Sequence, residues 1–155
     1  MPLTPTSLTV LPAAADERSL IEDMMEHYLA DLGGTGLYPH LERYWQDPGR
    51  HPYLLRHGDH VVGFALVRRF DDGSNYELVE FYVAARLRRH GFGRKAARAL
   101  FNSHVGKWSV AVRRDNAVGQ KFWASFLGHQ ASVTLYEVQA PDGIVYKFTS
   151  PIGET

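Results

Sequence analysis

The stretch Arg86 to Phe101, RLRRHGFGRKAARALF, sets six Lys or Arg side chains and two closely spaced glycines directly behind an apolar run, with no acid between them. That preceding run, ELVEFYV, ends at Val83 and reads as a strand. Behind the loop, Ala97, Leu100, Phe101 and His104 recur on one stripe, with Arg94, Lys95 and Arg98 away from it, which predicts an amphipathic helix over Gly93 to His104. A strand that passes through a glycine loop into a helix presents leading N–H groups with no internal partner, and such an end attracts anions. Gly91 and Gly93 remove Cβ atoms where a ligand would approach the backbone, and Arg88, Arg89 and Arg94 supply charge-assisted donors. The combination suits a diphosphate. It is not the nucleotide P-loop, because GFGRKA lacks the G-K-S/T ending, and it is not a dinucleotide fingerprint, because the third glycine is absent.

The rest of the chain frames this junction. With 155 residues, 45% apolar and 12% aromatic, a single globular domain over residues 1–155 with a sizeable core is expected. Formal net charge is zero, so general affinity for nucleic acid or membrane does not follow from the totals. Its distribution is uneven. Met1 to Arg50 holds eight acids and three Lys or Arg, whereas Ala84 to Arg114 holds nine Lys or Arg and no acid. Cysteine is absent, which excludes disulfides, thiolate metal sites and a cysteine nucleophile and fits a reducing compartment. No apolar run approaches the ~20 residues that span a bilayer, and the N-terminal stretch lacks a basic region ahead of its faint apolar segment. A cytoplasmic protein is the expectation.

Outward from the junction, the periodicities predict a weak strand at Leu8 to Leu11 and a helix capped by Asp16, with Leu20, Ile21, Met24, Met25, Tyr28 and Leu32 on its buried stripe. A short helix is expected over His40 to Gln46, before DPGRHP breaks the chain. Tyr53 to Arg56, His60 to Arg69 and Asn75 to Val83 read as an antiparallel meander. Trp108 to Val112 is a further strand, and Asn116 to Leu127 a helix ended by Gly128. A hairpin of Ser132 to Val138 and Ile144 to Phe148 closes the chain. The order implies a mixed α/β fold with a strand-helix-strand crossover in its second half.

Arg88 to Gly93, R-R-H-G-F-G, resembles the Q/R-x-x-G-x-G/A motif of the GNAT superfamily, the acyl-CoA-dependent N-acyltransferases. Its setting agrees: EFYV precedes it where that family has its fourth strand, and WSVAVRRDNAVGQKFWASFLGH is similar to the fifth strand, CoA-contacting asparagine and next helix. The resemblance implies a mixed sheet of about six or seven strands with about four helices, splayed between the fourth and fifth strands. It further implies that acetyl-CoA is the co-substrate. Its pantetheine arm would lie along Phe81, Tyr82 and Val83, and its pyrophosphate on Arg88, Arg89, His90, Gly91, Phe92, Gly93 and Arg94. Asn116 matches the asparagine that reaches the cofactor, and Phe122 would wall the groove. A homodimer is a family tendency.

Glu80 stands mid-strand in an apolar stretch, where a carboxylate is costly without a partner or a task. It is either an edge or bulge residue salt-bridged to one of the many arginines or the general base that takes a proton from the acceptor amine, a role that acids near this place often have in the family. Glu77 is a weaker candidate for the same role. Eight histidines form no helix-spaced pair, and His57 with His60 falls in a hairpin turn, so no metal is assigned. Trp123 takes the place where many family members carry a tyrosine that protonates the leaving thiolate. An indole N–H is no useful acid near neutral pH. The expectation is therefore an N-acetyltransferase acting on a small-molecule or peptide amine, with a non-catalytic acyl-CoA sensor or, behind it, a nucleic-acid-binding module as the alternatives.

Overall fold

The computed structural model describes residues 7–34, 38–70, 73–88, 90–128 and 136–152. In chain order these form β1 (Leu8–Pro12), α1 (Arg18–Asp31), β2 (Arg50–His57), β3 (His60–Arg69), β4 (Asn75–Val83), α2 (Phe92–Ser103), β5 (Lys107–Arg113), α3 (Ala117–Gly128), β6 (Tyr136–Ala140) and β7 (Gly143–Thr149). The strands make one mixed sheet of seven, ordered β1-β2-β3-β4-β5-β7-β6. Every neighbouring pair is antiparallel except β4 with β5, whose parallel crossover is supplied by α2. This is the mixed α/β architecture, with its antiparallel meander, that the periodicities predict.

Two expectations need correction in detail. The helix expected over His40 to Gln46 is a 3₁₀ turn, Leu41–Trp45, that buries Leu41 and Tyr44. Among the described residues there are therefore three α-helices rather than about four. The break expected through Pro52 is instead strand, because β2 starts at Arg50. Pro52 fits there because its carbonyl accepts from Ala13 N–H at 2.9 Å, so its missing N–H faces the edge just past the end of β1. The last hairpin turns within Ala140 to Gly143 as expected, between β6 at Tyr136–Ala140 and β7 at Gly143–Thr149. Ser132 to Leu135 of the expected strand lie outside the described residues, as does Arg89.

The sheet has two faces with separate cores. On one, α2 and α3 bring Ala97, Leu100, Phe101, Trp123 and Phe126 against Leu55, Val67, Leu78, Trp108 and Tyr146. On the other, Ile21 and Met25 of α1, with Leu41 and Tyr44, cover Leu54, Phe64, Leu66 and Tyr82. The helices on that second face stop at β4. Its β5 and β7 portion presents Lys107, Ser109, Ala111 and Arg113 beside Val145, Lys147 and Thr149, all exposed or half-buried.

One irregularity sets what each face receives. The β3–β4 register runs Leu66 to Glu80 and then Val67 to Leu78, so Val79 is an extra residue in β4. Tyr76 and Leu78 point to the α2/α3 core. Val79 packs on the α1 side, and after the bulge Glu80 does so too, beside Tyr28. Phe81 then returns to the α2/α3 side and Tyr82 to the α1 side. In a strand of strict alternation Glu80 would face Phe101 and Trp123, since a one-residue slip exchanges faces. Deleting Val79 removes the extra residue and leaves Glu80 directly after Leu78, still on the α1 face, so the deletion is expected to be tolerated at a cost of about 1–2 kcal/mol. Val79→Ala, which only trims a half-buried side chain, should cost about 1 kcal/mol. Urea midpoints of the two variants check this, and a deletion that costs several times as much as Val79→Ala would refute the role given to the bulge.

Candidate active site

The parallel pairing of β4 with β5 covers only Asn75 to Leu78 against Lys107 to Val110. Beyond it β4 stays with β3 up to Val83, and β5 stays with β7 through Arg113. The two strands therefore part, and among the described residues Val79 to Val83 keep an edge with no strand beside it. Ala84 N–H bonds to Val62 O at 2.8 Å, so by the antiparallel alternation Tyr82 turns its backbone groups to β3, and Phe81 and Val83 turn theirs to the opening. Two side chains reach this edge. Arg88 Nε donates to Val83 O at 2.9 Å, and the Tyr28 hydroxyl oxygen stands where Phe81 N–H can donate to it.

The opening leads to the start of α2. Gly91 caps that helix at φ 82°, in the left-handed region that disfavours a side chain. The first internal bond of the helix is Lys95 N–H to Gly91 O at 3.1 Å, so the N–H groups of Phe92, Gly93 and Arg94 precede it. No acid sits in the first turn. The two motif glycines have different tasks. A Cβ on Gly93 would lie 3.1 Å from Phe122 Cε1 and 3.9 Å from Phe81 Cε2, so Gly93 lets α2 close on the wall of the opening. Phe81 stacks on Phe122 at 6.2 Å between ring centres and meets Trp123 at 5.5 Å.

The structure thus brings together Phe81, Val83, Gly91, Phe92, Gly93, Arg94 and Phe122. His90 is exposed at the same turn. Tyr82 is on the opposite face, its ring 5.9 Å from that of Tyr28. Two expected cofactor ligands already have other partners. Arg88 Nη2 donates to Asp31 Oδ2 at 2.7 Å in addition to its bond to Val83. Asn116 Oδ1 accepts from Gly119 N–H at 2.9 Å, which makes it the N-cap of α3. Trp123 is buried, its ring within 4.8–6.3 Å of Phe81, Phe101, Phe122 and Phe126.

On the α1 face of the opening Glu80 has surroundings that the sequence conceals. Glu80 is half-buried and accepts a hydrogen bond from the Tyr28 hydroxyl. Burial, reinforced by the neighbouring Glu77 carboxylate, pushes its carboxyl up to about 7, and the Tyr28 bond and Arg113 only partly oppose this. Tyr38 and Tyr44 complete the wall, and burial with the field of Glu80 pushes both phenols up. The Arg50 guanidinium lies 5.4 Å from the centre of the Tyr44 ring. Tyr28 reads from sequence as one more core residue of α1, and Tyr38 and Tyr44 flank loops with no motif. Only the distribution of tyrosines between residues 28 and 44 hinted at this wall.

Comparison with known proteins gives the family. The model of the acetyltransferase (GNAT) family matches residues 19–129. The fold is similar to that of an acetyltransferase of the GNAT family from Staphylococcus aureus (TM-score 0.68, 12% identity, 92% of this chain and 98% of that one). It is equally similar to an acetyltransferase from Thermus thermophilus (TM-score 0.68, 22% identity, 94% and 97%). The PaiA N-acetyltransferase of Thermoplasma acidophilum in complex with coenzyme A also matches (TM-score 0.64, 11% identity, 93% and 99%). No curated protein matches. The chain belongs to the GNAT acetyltransferase family, and its splayed mixed sheet is the GNAT fold.

The raised carboxyl makes a prediction about stability. The folded chain keeps the Glu80 proton up to about 7, whereas the unfolded chain releases it near the ordinary value of 4.5. Between these values the folded state binds more protons, so this group's contribution falls as pH rises from about 4.5 to about 7 and is level above. Glu80→Gln should remove that slope and gain on the parent chain across the same window. Urea midpoints taken at both ends of it measure the difference, and parallel midpoints would contradict the assignment.

Proposed function

We propose that the whole 155-residue chain is a single-domain N-acetyltransferase that moves the acetyl group of acetyl-CoA to a primary amine by direct attack in a ternary complex. One observation carries this reading: the unpaired edge of β4 runs into the acid-free N-terminus of α2, and Glu80, its carboxyl held near neutrality, stands at the same opening. The residues fit the cofactor. Phe81 O and Val83 N–H, the groups of this edge that Tyr28 and Arg88 do not take, face the opening where a pantetheine amide would pair with them. The N–H groups of Phe92, Gly93 and Arg94 would take the diphosphate, with the guanidinium of Arg94 nearby and Phe122 as the wall. Arg88 would brace this edge through Asp31 and Val83, and Asn116 would fix the start of α3 beside it.

Acetyl-CoA supplies a thioester carbon open to attack. Glu80, directly or through a water, takes the proton that the amine must lose before or as its nitrogen bonds to that carbon. A carboxyl that titrates near 7 is matched to this task, since it is substantially ionised at neutral pH yet basic enough to accept. Tyr28 holds the Glu80 carboxylate and, through Phe81 N–H, the strand edge beside it. The N–H of Val83 points to the same opening and would polarise the thioester oxygen. As the C–S bond breaks, the chain offers no acid at the Trp123 position. A thiol with a pKa near ~8.5 leaves tolerably without one and takes its proton from water.

Three measurements test the reading. Calorimetry should show acetyl-CoA binding, and Gly93→Glu should abolish it, because the new side chain meets Phe122 and sets a negative charge at the helix terminus. Unchanged affinity would remove the diphosphate site from α2. Glu80→Gln should lower turnover about a hundredfold or more with acetyl-CoA affinity retained, and should erase the pH–rate limb near neutrality. Full activity in that variant, with the limb intact, rules Glu80 out as the base. Trp123→Phe should keep measurable transfer, and a folded, acetyl-CoA-binding variant that has lost several orders of magnitude would give the indole a direct part.

A further inference from the structure

The face of the sheet that carries Glu80 continues beyond α1 onto β5 and β7, and there it forms a cleft. It has a volume of about 490 Å³ and is lined by Phe70, Asn75, Lys107, Ser109, Lys147 and Thr149 together with the sheet backbone. Register connects it to the candidate active site. Glu77 stands directly opposite Ser109, and Ser109 opposite Lys147. One row across the strands therefore reads Arg68, Glu77, Ser109, Lys147. Glu80 lies on the same face, one bulge further along β4. From Glu80 to Asn75 at the cleft is on the order of 13 Å of strand.

The charges along this track are not balanced locally. Lys107 pairs with Thr149 and Ser109 with Lys147, so the two lysines are diagonal neighbours on one face, ~7–8 Å apart at their Cα atoms. Like charges so placed repel. Among the described residues neither lysine has an ion pair, and no described acid lines the cleft. Arg113, at the other end of β5 on the same face, is by contrast held by Asp115 at 2.6 Å. The Arg68 guanidinium adds a third cation, 5.0 Å from the centre of the exposed Phe70 ring. The track thus has carboxylates at its Glu77 and Glu80 end and cations at its Lys107 and Lys147 end, with an aromatic surface beside the latter.

We infer that the acceptor amine carries a carboxylate or phosphate remote from the nitrogen that is acetylated, and that Lys107 and Lys147 receive this anion in the cleft at the start of β5. This inference rests on the acetyltransferase reading above and names the substrate class for it. The amine end lies at Glu80, the spacer runs past Glu77 and Ser109, and the anion accepts charge-assisted hydrogen bonds from the two ammonium groups. An n-alkylamine, with no charge at its far end, leaves the lysines repelling each other, and a diamine adds a further positive charge to them.

The test uses a graded series of straight-chain ω-aminocarboxylates, the matching ω-aminoalkyl phosphates, the matching n-alkylamines and α,ω-diamines. At one chain length kcat/KM for an anion-bearing amine should exceed that for its n-alkylamine by about tenfold or more, and the carboxylate and phosphate arms show which anion is preferred. Lys107→Gln combined with Lys147→Gln should bring that ratio close to one, and Lys147→Glu should move the preference toward diamines. Both side chains are exposed, so folding is retained and thermal melts confirm it. An n-alkylamine as good as its anionic counterpart, or a ratio that the double variant leaves in place, overturns the inference. Calorimetry on CoA-loaded protein separates the two readings. If anionic amines bind in a lysine-dependent way without turnover, the anion site stands and the acetyltransferase reading falls. If n-alkylamines are acetylated and the anion changes nothing, the inference alone falls.

Discussion

The short parallel pairing of β4 with β5 is the constraint on which the rest of this molecule turns. Four residue pairs hold the strands together from Asn75 to Leu78, and then each strand follows its antiparallel neighbour instead. A buried strand edge with unpaired N–H and C=O groups is costly in a folded protein. Here Arg88 meets Val83 O and Tyr28 meets Phe81 N–H, which offsets part of that cost. The bulge at Val79 begins where the pairing ends. It turns Val79 and Glu80 to the same face, so a carboxylate and an unpaired backbone edge arrive at one opening from opposite requirements of packing.

The segments that border this opening are also joined to one another. Asp31, the last residue of α1, holds the guanidinium of Arg88, which bonds Val83 O on the β4 edge and lies 5.8 Å from the centre of the Tyr82 ring. As an exposed ion pair this is worth well under about 1 kcal/mol. Its value is geometric, because it ties the helix on the Glu80 side to the loop that precedes α2. Tyr28, one turn before Asp31 on α1, makes the matching link to Glu80 and to Phe81 N–H. The α1 face and the α2 N-terminus are therefore positioned by shared contacts rather than by separate loops.

The other face works by exclusion of water. Phe101 meets Trp108, Phe126, Phe148 and Trp123 at 4.7–6.4 Å, and Phe81 and Phe122 extend this aromatic cluster to the opening. Burial of such rings is among the larger favourable contributions available to a chain of this length. It fixes α2 and α3 against the sheet and leaves their starts, at Gly91 and Asn116, at the same end. Trp123 belongs to this cluster, so at the position where an acid would stand the chain has packing.

The motif R-R-H-G-F-G, the apolar strand before it and the helix behind it determined the family and the acid-free start of α2, because those features depend on residues close in sequence. Periodicity likewise determined the meander and the crossover. The tertiary structure alone decided what the arginines and the asparagine do, since Arg88 meets Asp31 across 57 positions and Asn116 turns back onto Gly119. It also decided the face of Glu80. Strict alternation from Leu78 would place that carboxyl in the aromatic core, and the register between β3 and β4 shows the extra residue that prevents it. A bulge is a property of a pair of strands, and so are the raised carboxyl, the tyrosines around it and the lysine pair across β5 and β7.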